Sequence, residues 1–289
     1  MDDAERRAAT DDAERRAATH DAHAHGSHRV WHTDDGRLAR IYDDTEALSI
    51  AAAVLVAGAL REAVDAHGTA TLCLAGGSTP RALHERLAAA HRDDAPWART
   101  TVLFGDERCV PPDDAASNYR MAHETLLSRV PVPAGRVHRI RGELPPDAAA
   151  DDYDRTLRRV LGAPGTSGGA ADARPASALD APLFDVMLLG VGEDGHTASL
   201  FPGGTALDER ARWAMAVTAP AYVAEPRARV TLTPPLLAAS RLVLVLVAGA
   251  GKRDAVRAAL RANATVPAGR VHAMGRTLWM MDEAAAGPE

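Results

Sequence analysis

The sequence predicts an α/β fold: a single doubly wound, mostly parallel sheet with helices on both faces. Three observations lead there. Apolar runs of strand length alternate with segments of helical period along the 289 residues, as strand–helix–strand crossovers require. The runs Phe184 to Val191 and Leu242 to Ala248 are apolar at nearly every position, as strands buried on both faces must be. Glycine-rich loops follow several of these runs, at the edge where open parallel sheets bind their ligands.

Residues 2–10 read DDAERRAAT, and residues 11–19 repeat that string without change. With the histidine-rich stretch that follows, the first 29 residues lack the apolar side chains a core needs and are expected to form a disordered tail. His20, His23, His25 and His28 could take up a metal opportunistically, and no resident metal site is expected. The domain proper is expected from Val30 to the end. Leu38 to Tyr42 is a strand. Thr45 can cap a helix whose apolar positions Leu48, Ala52, Leu55, Val56, Leu60 and Val64 keep the 3.6 period, with Gly68 as its stop. A strand at Ala70 to Ala75, a helix at Arg81 to His91 and a strand at Thr101 to Gly105 follow. Next come a helix from Ser117 to Leu127, capped by Ser117 or Asn118, and a short strand from Val137 to Ile140. A further helix is marked by Tyr153, Leu157, Val160 and Leu161 and stops at Gly162. Residues 163–182 are rich in Ala, Pro, Gly, Ser and Asp and read as an irregular insertion. Beyond it lie strands at Phe184 to Val191, Trp213 to Thr218, Val230 to Thr233 and Leu242 to Ala248. A helix at Lys252 to Arg261 and a strand at Leu278 to Met281 complete the order.

Composition narrows the function. Net charge is −6, from 33 basic and 39 acidic residues, so no basic excess exists to hold nucleic acid. No uninterrupted apolar run approaches the ~20 residues of a membrane span, and Leu242 to Ala250 has strand length, so no membrane partner is expected. Two cysteines make no disulfide framework, and a reduced cytoplasm is the simplest setting. A monomer or weak homodimer is expected. Lys252 is the only lysine, so the other 32 basic residues are arginines. In a chain so biased, the one retained lysine draws notice.

Four loops carry chemistry. Gly76-Gly77-Ser78-Thr79-Pro80 follows a strand and opens a helix. Two glycines, two hydroxyls and a helix N-terminus make a phosphate site. Gly105-Asp106-Glu107-Arg108 ends a strand in three charges and reads as a solvated turn or a paired cluster. Gly190, Gly192 and Gly195 match G-x-G-x-x-G after a strand, but three features argue against a dinucleotide loop. Pro202, Gly203 and Gly204 come too soon for a crossover helix, no acidic residue ends the next strand, and Asp194 and His196 occupy the turn itself. A histidine beside a carboxylate in a glycine turn suits proton transfer. Finally, Arg229 opens the RVTLT run, and Lys252 follows a strand and the Gly249-Ala250-Gly251 turn, where its ammonium can meet a phosphate.

The segments AGGSTP, GDERCVPPDDAASNY, LLGVGEDGHTASLFPG, RVTLT and VAGAGK, in that order, resemble the 6-phosphogluconolactonase family, within the wider sugar-phosphate group that includes glucosamine-6-phosphate deaminase. The likeness runs from about Ala70 to Lys252. It implies a Rossmann-like sheet of the isomerase/lactonase type. It also implies hydrolysis of 6-phospho-D-glucono-1,5-lactone to 6-phospho-D-gluconate, in the oxidative pentose phosphate pathway, without a cofactor. By that resemblance Gly76, Gly77, Ser78, Thr79, Arg229 and Lys252 hold the phosphate, and His196 is the general base. Asp194 stands close to it, and Asp106 and Arg108 are active-site charges. Two alternatives follow from the same group: a hexose-6-phosphate isomerase or deaminase, and a non-catalytic sugar-phosphate sensor. The deaminase relatives run on as D-G-H-I-A-F-N-E, with an acidic residue five places after the histidine; here that place is Phe201, which favours the lactonase.

Overall fold

The computed structural model describes residues 28–32, 37–162 and 179–288. The repeated tail, up to residue 27, and residues 163–178 of the expected insertion lie outside the described residues.

Among the described residues ten strands form two sheets. The large one has seven strands in the order β1-β2-β10-β9-β6-β3-β4. They are β1 (His28–His32), β2 (Leu38–Tyr42), β3 (Ala70–Leu74), β4 (Thr100–Phe104), β6 (Phe184–Gly190), β9 (Ser240–Val247) and β10 (Arg276–Asp282). All neighbours run parallel except β1, which pairs antiparallel with β2 at the edge. The mostly parallel sheet is therefore as expected, and the tail boundary is not: His28 and Arg29 already belong to an edge strand, with the His28 ring 5.5 Å from that of Tyr42.

The expected single sheet gives way to two. β5 (Asp106–Arg108), β7 (Ala214–Thr218) and β8 (Ala228–Leu232) form a small antiparallel sheet in the order β5-β8-β7. The reason is length. Only residues 219–227 join β7 to β8, too few for the crossover a parallel pair demands. The Val137 to Ile140 segment contributes a single bridge, Val137 to Val102.

Besides short 3₁₀ turns, the described residues form seven α-helices: α1 (Thr45–His67), α2 (Ser78–Ala90), α3 (Asn118–Ala122, continuing as a π turn over His123–Leu127), α4 (Pro146–Leu161), α5 (Pro234–Ala238), α6 (Arg253–Ala259) and α7 (Glu283–Ala286). Helix α1 is long and apolar enough to cross a membrane by length and composition, yet half of its most apolar stretch is buried. Leu48, Ala52, Val56 and Leu60, one stripe of the 3.6 period, are all fully buried, and the helix packs over β3, β6 and β10. Each buried leucine there contributes about 2 kcal/mol. Its cap is Asp44, whose carboxylate accepts from the Ala47 amide at 2.8 Å; Thr45, the expected cap, instead donates to Asp282 at 3.1 Å. Helix α4 braces the small sheet against the large one: it packs on β7 and β8, while the Tyr153 hydroxyl accepts from the Phe104 amide at 2.8 Å and donates to its carbonyl at 2.9 Å.

The order of strands positions the site. From β3 the chain leaves through α2 to β4 on one side; from β6 it goes on to β9 on the other. The two loops diverge from adjacent strands, which opens a crevice at their carboxyl ends.

Candidate active site

A cleft of about 260 Å³ occupies this switch point. The loop after β3 forms one wall. Gly77 has φ 104°, a left-handed value that glycine adopts without strain. It is also the N-cap of α2, and no side chain, neither Ser78 nor Thr79, caps the first-turn N–H groups. Those donors remain for an anion. Gly76 is needed for a reason the sequence did not reveal. A Cβ there would lie 2.0 Å from Oδ1 of Asn118, so it is a side chain beneath the loop, not a ligand above it, that excludes any larger residue.

The loop after β6 holds the histidine. His196 Nδ1 lies 2.5 Å from Asp194 Oδ1, which also accepts from the His196 amide at 3.1 Å. The carboxylate can only accept, so Nδ1 is the donor in this contact and Nε2 is the ring nitrogen that Asp194 does not hold. Burial raises the Asp194 pKa, but the hydroxyl of Tyr222, 2.7 Å from Oδ2, and the His196 donors outweigh it and hold the carboxyl below its ordinary value. Gly195 has φ 82°, and a Cβ there would strike Val266. A Cβ on Gly192 would lie 2.0 Å from His196 Nδ1. Gly192→Ala is therefore expected to displace the ring and lower kcat by about tenfold or more, with the melting temperature nearly unchanged. Unchanged kcat in that variant would show that the ring has room to move. Ala198 carries φ 47°, which for a residue with a Cβ costs on the order of 1 kcal/mol. Phe201 stacks against His196 with centroids 4.7 Å apart.

Strand β5 supplies the third wall. Asp106 is buried; its Oδ2 accepts from Ser199 Oγ at 2.6 Å and its Oδ1 from Asn118 Nδ2 at 3.1 Å. Ser199 and Asn118 were not singled out as site residues by the sequence, although each stands inside a motif the sequence made conspicuous. Glu107, between two site residues, does structural work. It is 2% exposed and accepts from the Arg108, Asn118 and Tyr119 amides at 2.7, 2.7 and 2.8 Å and from Ser117 Oγ at 3.0 Å. Burial raises its pKa, and these four hydrogen bonds work against that rise. Glu107→Ala strands four donors, three at the start of α3 and the Arg108 amide on β5. It is expected to cost about 3 kcal/mol of stability by urea unfolding; a loss below about 1 kcal/mol would contradict this account.

The cations converge on the same cleft. Arg108 and Arg229 stand directly opposite one another in the β5–β8 register, an arrangement that is destabilising for like charges. Arg229 is 6% exposed. Burial, then the neighbouring Arg108, push its pKa down, with Asp106 as the main opposing charge. Lys252 reaches the cleft from the turn after β9. Among the described residues, none of these three cations has a carboxylate within 4.0 Å. Two opposed arginines and a lysine around one cavity call for a multiply charged anion. Of the expected residues, Gly76, Gly77, Ser78, Thr79, Asp106, Arg108, His196, Arg229 and Lys252 all line this cleft. Asp194 stands behind His196 instead of in the wall. Tyr222 was missed; its loop carries no motif to signal it. Among the described residues no group of three His, Cys, Asp or Glu side chains is placed to hold a metal.

Residues 43–279 match the family described as glucosamine-6-phosphate isomerases/6-phosphogluconolactonase. The chain is 38% identical over 255 residues to a Mycobacterium tuberculosis protein named 6-phosphogluconolactonase, covering 85% of this chain and 96% of that one. It is 35% identical over 254 residues to an Arabidopsis thaliana protein named 6-phosphogluconolactonase 3, chloroplastic, covering 88% and 75%. Among solved structures, the 6-phosphogluconolactonase from Trypanosoma cruzi superposes with a TM-score of 0.74 at 27% identity, over 88% of this chain and 97% of that one.

Proposed function

The chain belongs to the glucosamine-6-phosphate isomerase/6-phosphogluconolactonase family, and from that premise we propose that it hydrolyses 6-phospho-D-glucono-1,5-lactone to 6-phospho-D-gluconate, as in the oxidative pentose phosphate pathway. The observation that carries this reading is the His196–Asp194 pair facing a cleft whose cations have no carboxylate within 4.0 Å among the described residues. It is also supported by the relatives' names.

The 6-phosphate lies against the N-terminus of α2, held by Arg229, Lys252 and the Gly76 to Thr79 loop, with its charge relieving the Arg108–Arg229 opposition. The lactone carbonyl then stands near His196. Nε2 takes a proton from water as the water oxygen bonds to C1. The developing oxyanion is met by Arg108 and the glycine-loop amides. As the C1–O5 bond breaks, Nε2 returns that proton to O5. One water is consumed, one carboxyl and one hydroxyl are formed, and no redox partner is needed. Asp106, held by Ser199 and Asn118, accepts from a substrate hydroxyl.

The deaminase alternative fares worse on one observation. The place where those relatives carry an acidic residue is Phe201, packed on the His196 ring. The test gives one sample both 6-phosphogluconolactone and glucosamine 6-phosphate. Lactone opening well above its spontaneous rate with no ammonia release is expected; ammonia release without faster opening would overturn the reading. The cleft is completed by one chain, consistent with a monomer or weak homodimer. The free thiols of Cys73 and Cys109 suit a reducing, cytoplasmic setting.

A further inference from the structure

We propose that Tyr222 is a positioning residue for the base: its hydroxyl, carried to the cleft by the loop between β7 and β8, fixes the Asp194 carboxylate that orients His196. This rests on the reading of His196 as the base. Tyr222 is 68% exposed, an unusual place for a large ring, and burial of that ring explains nothing about where it sits. Its hydroxyl donates to Asp194 Oδ2 at 2.7 Å, the one polar contact it makes among the described residues. Asp194 Oδ1 is meanwhile taken by the His196 ring and amide. The carboxylate is thus gripped at both oxygens, from its own turn and from a separate hairpin, and cannot rotate away from the imidazole.

The hairpin is built to hold that position. The Ala219 amide donates to the Arg227 carbonyl at 2.8 Å, closing the base of the loop, and the Val223 amide donates to the Pro220 carbonyl at 2.9 Å. Val223 forms part of the cleft wall, and the strand that leaves the loop delivers Arg229. One hairpin therefore seats both a cation of the anion site and the hydroxyl behind the base.

The charged groups that share the cleft with His196 are Asp106 and Arg108 on β5, Arg229 on β8 and Lys252 after β9, with Glu193 on its own turn beside Gly251. Tyr222→Phe alters none of these charges.

The test uses the full chain, with histidine labelled for NMR and the His196 resonance assigned by its loss in His196→Ala. In Tyr222→Phe the His196 ring-nitrogen resonances are expected to shift at a fixed pH, because Asp194 is no longer held at Oδ2. The kcat for the phosphorylated lactone should fall about tenfold with KM unchanged, and Tyr222→Ala should match Tyr222→Phe, since only the hydroxyl matters. Ring resonances superimposable on wild type would overturn the proposal. So would a Tyr222→Phe variant with normal kcat beside an impaired Tyr222→Ala, which would assign the role to the ring. If the resonances shift but wild type opens the lactone no faster than water does, the lactonase reading fails while the Tyr222–Asp194–His196 linkage stands.

Discussion

His196→Ala is expected to lower kcat for 6-phosphogluconolactone by about 10²–10⁴-fold, with little change in the affinity for 6-phosphogluconate. Two features separate the effects. The imidazole is held from behind through Nδ1, so Nε2 is its one reactive atom and its loss removes the base outright. The anion site is built from different elements, the start of α2, β8 and the turn after β9, so phosphate binding survives. The ring is 30% exposed at its side chain and occupies no core position, so the variant should fold. Steady-state kinetics corrected for spontaneous opening, paired with calorimetry of product binding, reads both quantities. Near-normal turnover would remove His196 from the mechanism.

Lys252→Ala is expected to raise KM by about 10–100-fold, the loss of about 1.5–3 kcal/mol from one charge-assisted contact to phosphate. Lys252→Arg should also be impaired, though less. The ammonium is a compact charge on a turn set by Gly249 at φ 95°, and a planar guanidinium there would compete for space with Arg229 and the Gly76 loop. The control is the lactone without its 6-phosphate, whose slow turnover should hardly respond. Product binding as tight as wild type in Lys252→Ala would mean that the single lysine is not a phosphate ligand.

What could be read in advance followed from periodicity and position. The apolar runs of β6 and β9 and the stripe along α1 declared themselves, because burial on both faces or on one stripe leaves a pattern in the side chains. The loops after β3 and β6 could be placed at one cleft because parallel strands share a carboxyl end. The small sheet could not. β5 is three charged residues, Asp106–Arg108, and no apolar alternation marks it. Glu107 can be read in sequence as solvated or as part of a paired cluster; it is buried instead, on four donors of which three reach it only when α3 folds back on β5. Tyr222 sits in a loop without a motif, and its partner is 28 residues earlier in the chain. Gly76 could be recognised as necessary, but the cause, the Asn118 amide beneath it, is a contact between distant segments.

If a phosphate grip delivers the lactone to His196, it shows when 6-phosphogluconolactone and glucono-1,5-lactone are followed with the same wild-type enzyme, each corrected for its spontaneous opening. Strong acceleration of the phosphorylated lactone is expected, with a rate for the other close to spontaneous, because only the first brings an anion to Arg229 and Lys252. Equal acceleration of both lactones, or of neither, would contradict it.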